Sequence, residues 1–419
     1  MRKKTLVEAP LGYWEEKSYF IAIPADETRN LLKDCLNGIS SLEDVEIIDN
    51  HHKIEGNFFE LKLKYEKEVY EVGFYVGDVS VPEYYLAPSF LFEDQEKESL
   101  LKARKAVTIF MKFQDDVKKS YHLQLKLAVA MVPDLIGLLD ESAERLFPAK
   151  WVKMTASSKV LPSSKDLFNV QAVRGKNDEV WLHTHGLCRC GVTELEILES
   201  DAKNYENHYN LISTYAMYLI DHKGDIEPYG VGAYIGSLVN GYPVVVTCKS
   251  WTEGILEYKK LRLGNLKDRE KGHNSKTSII FLYKSEEDEK QGVLSKVSIY
   301  NDLWGENPIF FISDEETDRM KKLAREKFNY VQDFYNVEGN SVLIKIGLHI
   351  EGDNYEHIWF ELLEVKKDKF RAKLTQESYY FKDMHVGDEH WYTVDDVTDW
   401  IIYTPKFAIH PGSVFLLDR

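Results

Sequence analysis

Cysteine is scarce in this chain: four residues in 419, at Cys35, Cys188, Cys190 and Cys248. So few thiols exclude a disulfide scaffold, and they match a reducing, cytoplasmic compartment. Long apolar runs are missing as well. No stretch of about 18 apolar residues offers a spanning helix. The basic start Met1-Arg2-Lys3-Lys4 lacks the following apolar run of about 7–15 residues that a secretory signal needs. Positive charge is outweighed, with 53 Lys and Arg against 69 Asp and Glu and a formal net charge of −16. That surplus repels phosphate. It argues against nucleic acid or an anionic membrane as partner and favours a basic protein. No Walker sequence, Gly-x-Ser-x-Gly or His-Glu-x-x-His occurs.

What is present is ordinary for a globular protein, 44% hydrophobic and 29% charged. The length suits about two or three domains. Residues 18–24 read as a buried strand and 25–38 as a helix. Residues 57–65 alternate, with Phe59, Leu61, Leu63 and Tyr65 on one side and Glu60, Lys62 and Lys64 on the other. With 69–78 they predict a hairpin turning near Glu66–Glu68. These elements predict an α+β region with helices on one sheet face. A helical stretch follows toward Phe147, broken or kinked at Pro133. The central region returns to strands, with a helix over 204–220 and a polar, basic loop over 259–276. The third region opens with a helix from Ser313 to about Tyr335, carrying Met320, Leu323, Ala324, Phe328, Val331 and Phe334 as an apolar stripe. Alternating strands then predict a small, strongly bent antiparallel sheet. The expected fold is α+β and multidomain, divided as 1–133, 134–304 and 305–419.

Ala324-Arg325-Glu326, Ile358-Trp359-Phe360-Glu361, Val386-Gly387-Asp388-Glu389 and Asp396 through Ile402 resemble the bacterial family called domain of unknown function 2314, over roughly 316–403. The first 300 or so residues resemble domain of unknown function 4026. There the segments from His183 to Leu187, Glu194 to Ile197 and Tyr229 to Gly236 carry the resemblance. Both families are uncharacterised. The resemblance implies architecture and a bacterial cytoplasmic setting, and it implies no activity.

Chemistry concentrates in His183-Thr184-His185-Gly186-Leu187-Cys188-Arg189-Cys190. Read as a hairpin, strands 179–187 and 192–198 place His183 and His185 on one face, with Glu196 opposite His185. Two imidazoles and a carboxylate form a candidate site for zinc or another divalent metal. Cys188 and Cys190 have the other parity and join only through a bulge at Gly186. Leu-His-Thr-His-Gly resembles the first metal motif of amidohydrolases, but the regular strand–helix alternation of that barrel is absent. The plainer alternative pairs His185 with Glu196 across the hairpin and packs the thiols. Gly230 to Gly236 reads as a structural turn, since it departs from the dinucleotide spacing. In the third region Trp359, Trp391 and Trp400 are candidate interaction residues, while Asp388 shapes a turn and Asp399 caps the segment before Trp400. The favoured function is binding of a protein partner, a basic one by charge. The alternative is a metal-dependent hydrolase centred on His183, His185 and Glu196.

Overall fold

The computed structural model describes residues 16–49, 58–87, 90–223, 229–238, 241–269, 276–304, 309–352, 354–367 and 369–417. The chain divides into two compact units. Met1–Val152 and Pro162–Ser313 form one; Lys153–Leu161 and Asp314–Arg419 form the other.

The first sheet of the larger unit contains β1 Lys17–Pro24, β2 Val45–Asp49, β3 Phe58–Tyr65, β4 Glu68–Asp78, β5 Lys105–Lys112, β6 Leu135–Asp140 and β7 Arg145–Pro148. Their order is β2-β3-β4-β5-β1-β6-β7, antiparallel throughout. The β3–β4 hairpin turns where alternation predicts, pairing Tyr65 with Glu68. Leu61, Leu63 and Tyr65 are buried, and the charged residues between them are exposed. Three helices, α1 Leu31–Ser40, α2 Asp94–Lys102 and α3 Val117–Met131, flank this sheet. They cover both faces rather than the single face expected. Phe20 meets Tyr121 of α3 at 5.4 Å, whereas Ile23, of opposite parity, packs with Phe92 and with Leu100 of α2.

Pro133 stops α3 outright, because proline cannot continue the helical hydrogen bonds. The residues that follow it form β6 and β7, which extend the first sheet from β1. The boundary expected near 133 therefore falls inside that sheet. A fourth helix, α4 Ala149–Ser157, follows.

The second sheet contains β8 Asn169–Arg174, β9 Glu179–His185, β10 Glu194–Asp201, β11 Ala233–Ser237, β12 Pro243–Ser250, β13 Thr277–Tyr283 and β14 Ile309–Phe310. Its order is β14-β11-β12-β13-β10-β9-β8, and the β10–β13 pair is parallel. Helix α5 Tyr205–Asp221 buries Leu211, Ile212, Tyr215 and Leu219 at helical spacing. Two short helices, α6 Trp251–Gly254 and α7 Glu286–Gln291, complete this part.

In the smaller unit, α8 Asp314–Glu326 and α9 Phe328–Phe334 replace the single helix expected, with a break at Lys327. The third sheet contains β15 Ser341–Glu351, β16 Asn354–Lys366, β17 Lys369–Leu374, β18 Glu389–Thr393, β19 Val397–Tyr403 and β20 Ala408–Ile409. It is ordered β18-β17-β16-β15-β19-β20. Register shifts interrupt β15 and β16 near Lys345, His349 and Leu362. Such bulges bend a strand. Ala324, Phe328 and Val331 pack its buried face, with Phe328 against Phe370 at 5.4 Å.

Candidate functional site

Strands β9 and β10 make the predicted hairpin, and His183 and His185 share one face. Their rings meet edge to face at 4.8 Å, and Trp181 covers His183 at 4.3 Å. The register differs from expectation: Glu196 stands opposite His183, not His185. The connection explains the shift. Gly186 turns with φ +107°, a short 3-10 turn spans Cys188–Cys190, and Gly191 closes it at φ +86°. Glycine adopts that left-handed region without steric cost. Glu194 fastens the loop. Its carboxylate accepts from Thr184 Oγ1 at 2.7 Å, Gly186 N at 2.9 Å and Cys188 N at 3.1 Å, which satisfies amides that burial would otherwise leave unpaired.

Glu196 is fully buried, and its charge is taken by Arg269. The guanidinium donates to both carboxylate oxygens at 2.6 and 2.5 Å, and Trp181 Nε1 donates at 3.1 Å. Arg269 also lies against the rings of Trp181 and Trp251, 4.9 and 4.7 Å from their centroids. His185 faces Glu144 at 3.4 Å rather than Glu196. The thiols turn away from the imidazoles, Cys190 Sγ toward Gly186 O at 3.6 Å and Cys188 Sγ toward Lys276 O at 4.0 Å. Burial pushes both thiols up, Cys190 to about 12, the opposite of a reactive thiolate. Among the described residues, no group of three His, Cys, Asp or Glu is placed to hold a metal. The expected set of His183, His185, Glu196, Cys188 and Cys190 is thus not assembled, because the carboxylate it needs belongs to an ion pair. Part of the basic segment expected as a loop delivers that arginine; residues 270–275 lie outside the described residues.

Arg189, in the middle of the turn, carried no expectation, yet its guanidinium makes four hydrogen bonds. It pairs with both oxygens of Asp140 in β6 at 2.7 Å. It also donates to Ser18 Oγ at 2.9 Å and Leu167 O at 2.5 Å. The rings of Tyr121 and Phe113 stand at 5.1 and 5.7 Å. The hairpin turn is therefore anchored to the first sheet.

A second constellation also escaped sequence reasoning. Ser200 Oγ lies 2.7 Å from His208 Nδ1, and His208 Nε2 lies 2.9 Å from Asn301 Oδ1. Asn301 Nδ2 donates to Asp201, so its Oδ1 accepts from His208 Nε2–H, and Nδ1 accepts from the Ser200 hydroxyl. The geometry is that of an activated serine, but Ser200 and His208 are buried and neither cleft described below reaches them. The segment Gly230 to Gly236 is structural. Gly232 N donates to the Glu289 carboxylate at 2.8 Å, and β11 follows rather than a helix.

The three tryptophans separate. Trp400 is core, with Nε1 donating to Ala324 O at 2.8 Å, so it is no contact residue. Trp359 is half-buried and Trp391 exposed on the sheet face opposite the helices. Asp388 accepts from His385 N in its turn, and Asp399 accepts from Trp400 N, each at 2.8 Å.

Two clefts open on the larger unit. One of about 400 Å³ is lined by Tyr19, Ser142, Cys188 and Glu194 among others. The second, about 610 Å³, runs beside the whole stretch Asn169 to Val173 of β8, with Arg145, Lys165 and Tyr209 around it. Models of the family described as protein of unknown function (DUF4026) match here, the N-terminal domain over residues 18–162 and the C-terminal domain over 170–281. The chain carries both DUF4026 domains. No curated protein and no solved structure matches it. The first sheet, all but Lys17, lies within the N-terminal DUF4026 match, and β8 to β12, all but Asn169, and most of β13 lie within the C-terminal one. The Arg189–Asp140 pair joins the two DUF4026 domains, and the larger cleft takes its walls from both.

Proposed function

We propose that this protein works by binding a basic protein partner, through the uncovered face of the third sheet. One observation carries the reading: Trp391 is 45% exposed on that face and already holds a cation, Lys366 Nζ, 4.9 Å from its ring centroid. Lys345 Nζ stands over Trp359 in the same way at 5.6 Å. Lysine and arginine side chains of a partner can engage tryptophan faces by this attraction, and the net charge of −16 steers such a partner in. The four cysteines, all free and buried, support a reducing, cytoplasmic setting. The likeness of residues 316–403 to domain of unknown function 2314 supports a bacterial one.

The hydrolase alternative would use His183, His185 and Glu196. It loses support because Arg269 occupies the carboxylate. That reading requires a stoichiometric metal. We expect none on elemental analysis after zinc loading, and no difference between the native chain and a His183→Ala/His185→Ala variant.

The test of binding uses Lys/Arg-rich peptides as probes, followed by fluorescence anisotropy. Trp391→Ala leaves the net charge unchanged and is expected to weaken binding about tenfold. Equal binding by the variant would retire this face as the site.

A further inference from the structure

The larger cleft, in the other unit from the tryptophan face, has the parts of a peptide site. Strand β8 is the edge of the second sheet, paired with β9 on one side. Five consecutive residues of it, Asn169 to Val173, line the cleft. Side chains alternate between sheet faces along a strand. A cleft that meets every residue in turn therefore runs along the strand's edge, where alternate residues present free amides and carbonyls.

Three further observations say what would lie there. Arg145 and Lys165 both line the cleft, and among the described residues neither has an ion-pair partner. Arg145 instead rests over the Phe147 ring at 4.6 Å. The one carboxylate in the lining, Glu144, accepts from Gln171 Nε2 at 2.7 Å and faces His185 at 3.4 Å, so the cleft keeps a cationic balance in a chain of net charge −16. Ser213 of α5 also lines the cleft and is 6% exposed, and among the described residues its hydroxyl has no hydrogen-bond partner. Buried hydroxyls are ordinarily bonded, and this one stands without such a partner at the cleft wall. Tyr85 and Tyr209 supply aromatic wall. The volume of about 610 Å³ lies in the range of ligand sites.

We infer that this cleft binds an extended, acidic peptide segment, which adds as a strand to the free edge of β8 and places a carboxylate between Arg145 and Lys165. Main-chain bonds to the edge give affinity, and the cations give selectivity. The site takes the opposite charge to that read for the third sheet, so the two stand or fall separately.

The experiment screens the full chain against an array of short random peptides and carries the best binders into hydrogen–deuterium exchange and anisotropy. Acidic peptides should be selected. Their binding should slow exchange at residues 169–174. Lys165→Glu, at an exposed position, should weaken them about tenfold, and Arg145→Glu should do the same if its melting temperature matches the parent. Methylating alternate backbone nitrogens of the best peptide should abolish binding in one of the two alternation phases. The inference is overturned if no peptide binds, if binders protect other residues, if Lys165→Glu binds unchanged, or if both methylated forms bind like the parent. It is also overturned if inorganic phosphate or mononucleotides protect residues 169–174 and no peptide does.

Discussion

The side chains with the most reactive chemistry in this sequence are spent on holding it together. Arg189 shows this best, because its charge is entirely buried with Asp140. Removing one member of such a pair strands the other in a medium that cannot solvate it. Arg189→Met is expected to lower stability in chemical denaturation by about 3–5 kcal/mol. The double variant Arg189→Met/Asp140→Leu should recover much of that loss, since no lone charge remains. If the single variant is as stable as the parent, Arg189 is no anchor. The sequence shows the parity of His183 and His185, and it shows that two thiols fall on the other parity. It cannot show which distant charge will claim a carboxylate. Asp140 is 49 residues from Arg189 and Arg269 is 73 from Glu196. Both arginines sit in segments that read locally as turn or loop.

Elements follow the sequence wherever one local rule decides them. The β3–β4 hairpin is legible because alternation and a tight turn agree. The end of α3 is legible because proline enforces it. What proline does not say is which sheet the next strands join. That choice depends on Leu138 and Ala22 meeting across β6 and β1, a pairing no local pattern encodes. The same limit hides the link between β10 and α5, where His208 joins Ser200 to Asn301. Burial lowers the His208 pKa, although Asn301 and Asp201 act the other way. The sign of the consequence is fixed. Above the ordinary value of about 6.5 both folded and unfolded states hold a neutral ring, and pH has no effect through it. As pH falls below that value the unfolded chain takes the proton first, and stability is lost until the folded pKa is reached. Melting temperature should therefore fall between neutral pH and about pH 5.5, and His208→Gln should flatten that slope even if it lowers stability at neutral pH. An unchanged slope would place the acid sensitivity elsewhere.

At the scale of the whole molecule, chain continuity and compact units do not coincide. The chain leaves the larger unit after Val152, contributes Lys153–Leu161 to the smaller one, returns at Pro162, and leaves again after Ser313. A boundary search along the sequence looks for one crossing, and here a short excursion belongs to a unit whose remainder begins more than a hundred residues later. Glu326 at the end of α8 holds the excursion in place. Its carboxylate accepts from Ser158 Oγ and from Lys159 N, each at 2.9 Å. Burial opposes its charge, but the Lys327 ammonium and these donors outweigh burial and hold its pKa below the ordinary glutamate range. The stabilisation is thus present at neutral pH and lost as pH falls from the ordinary glutamate value of about 4.3 through the lower folded one. Glu326→Ala should cost the smaller unit about 1.5–3 kcal/mol at neutral pH. Site-resolved hydrogen exchange should show that loss in residues 153–161 and in β15 to β19, with the Arg189 region unchanged, and the gap from the parent should close in acid. Equal loosening of both units would mean that they unfold together, and that the excursion is not a separate tie within the smaller one.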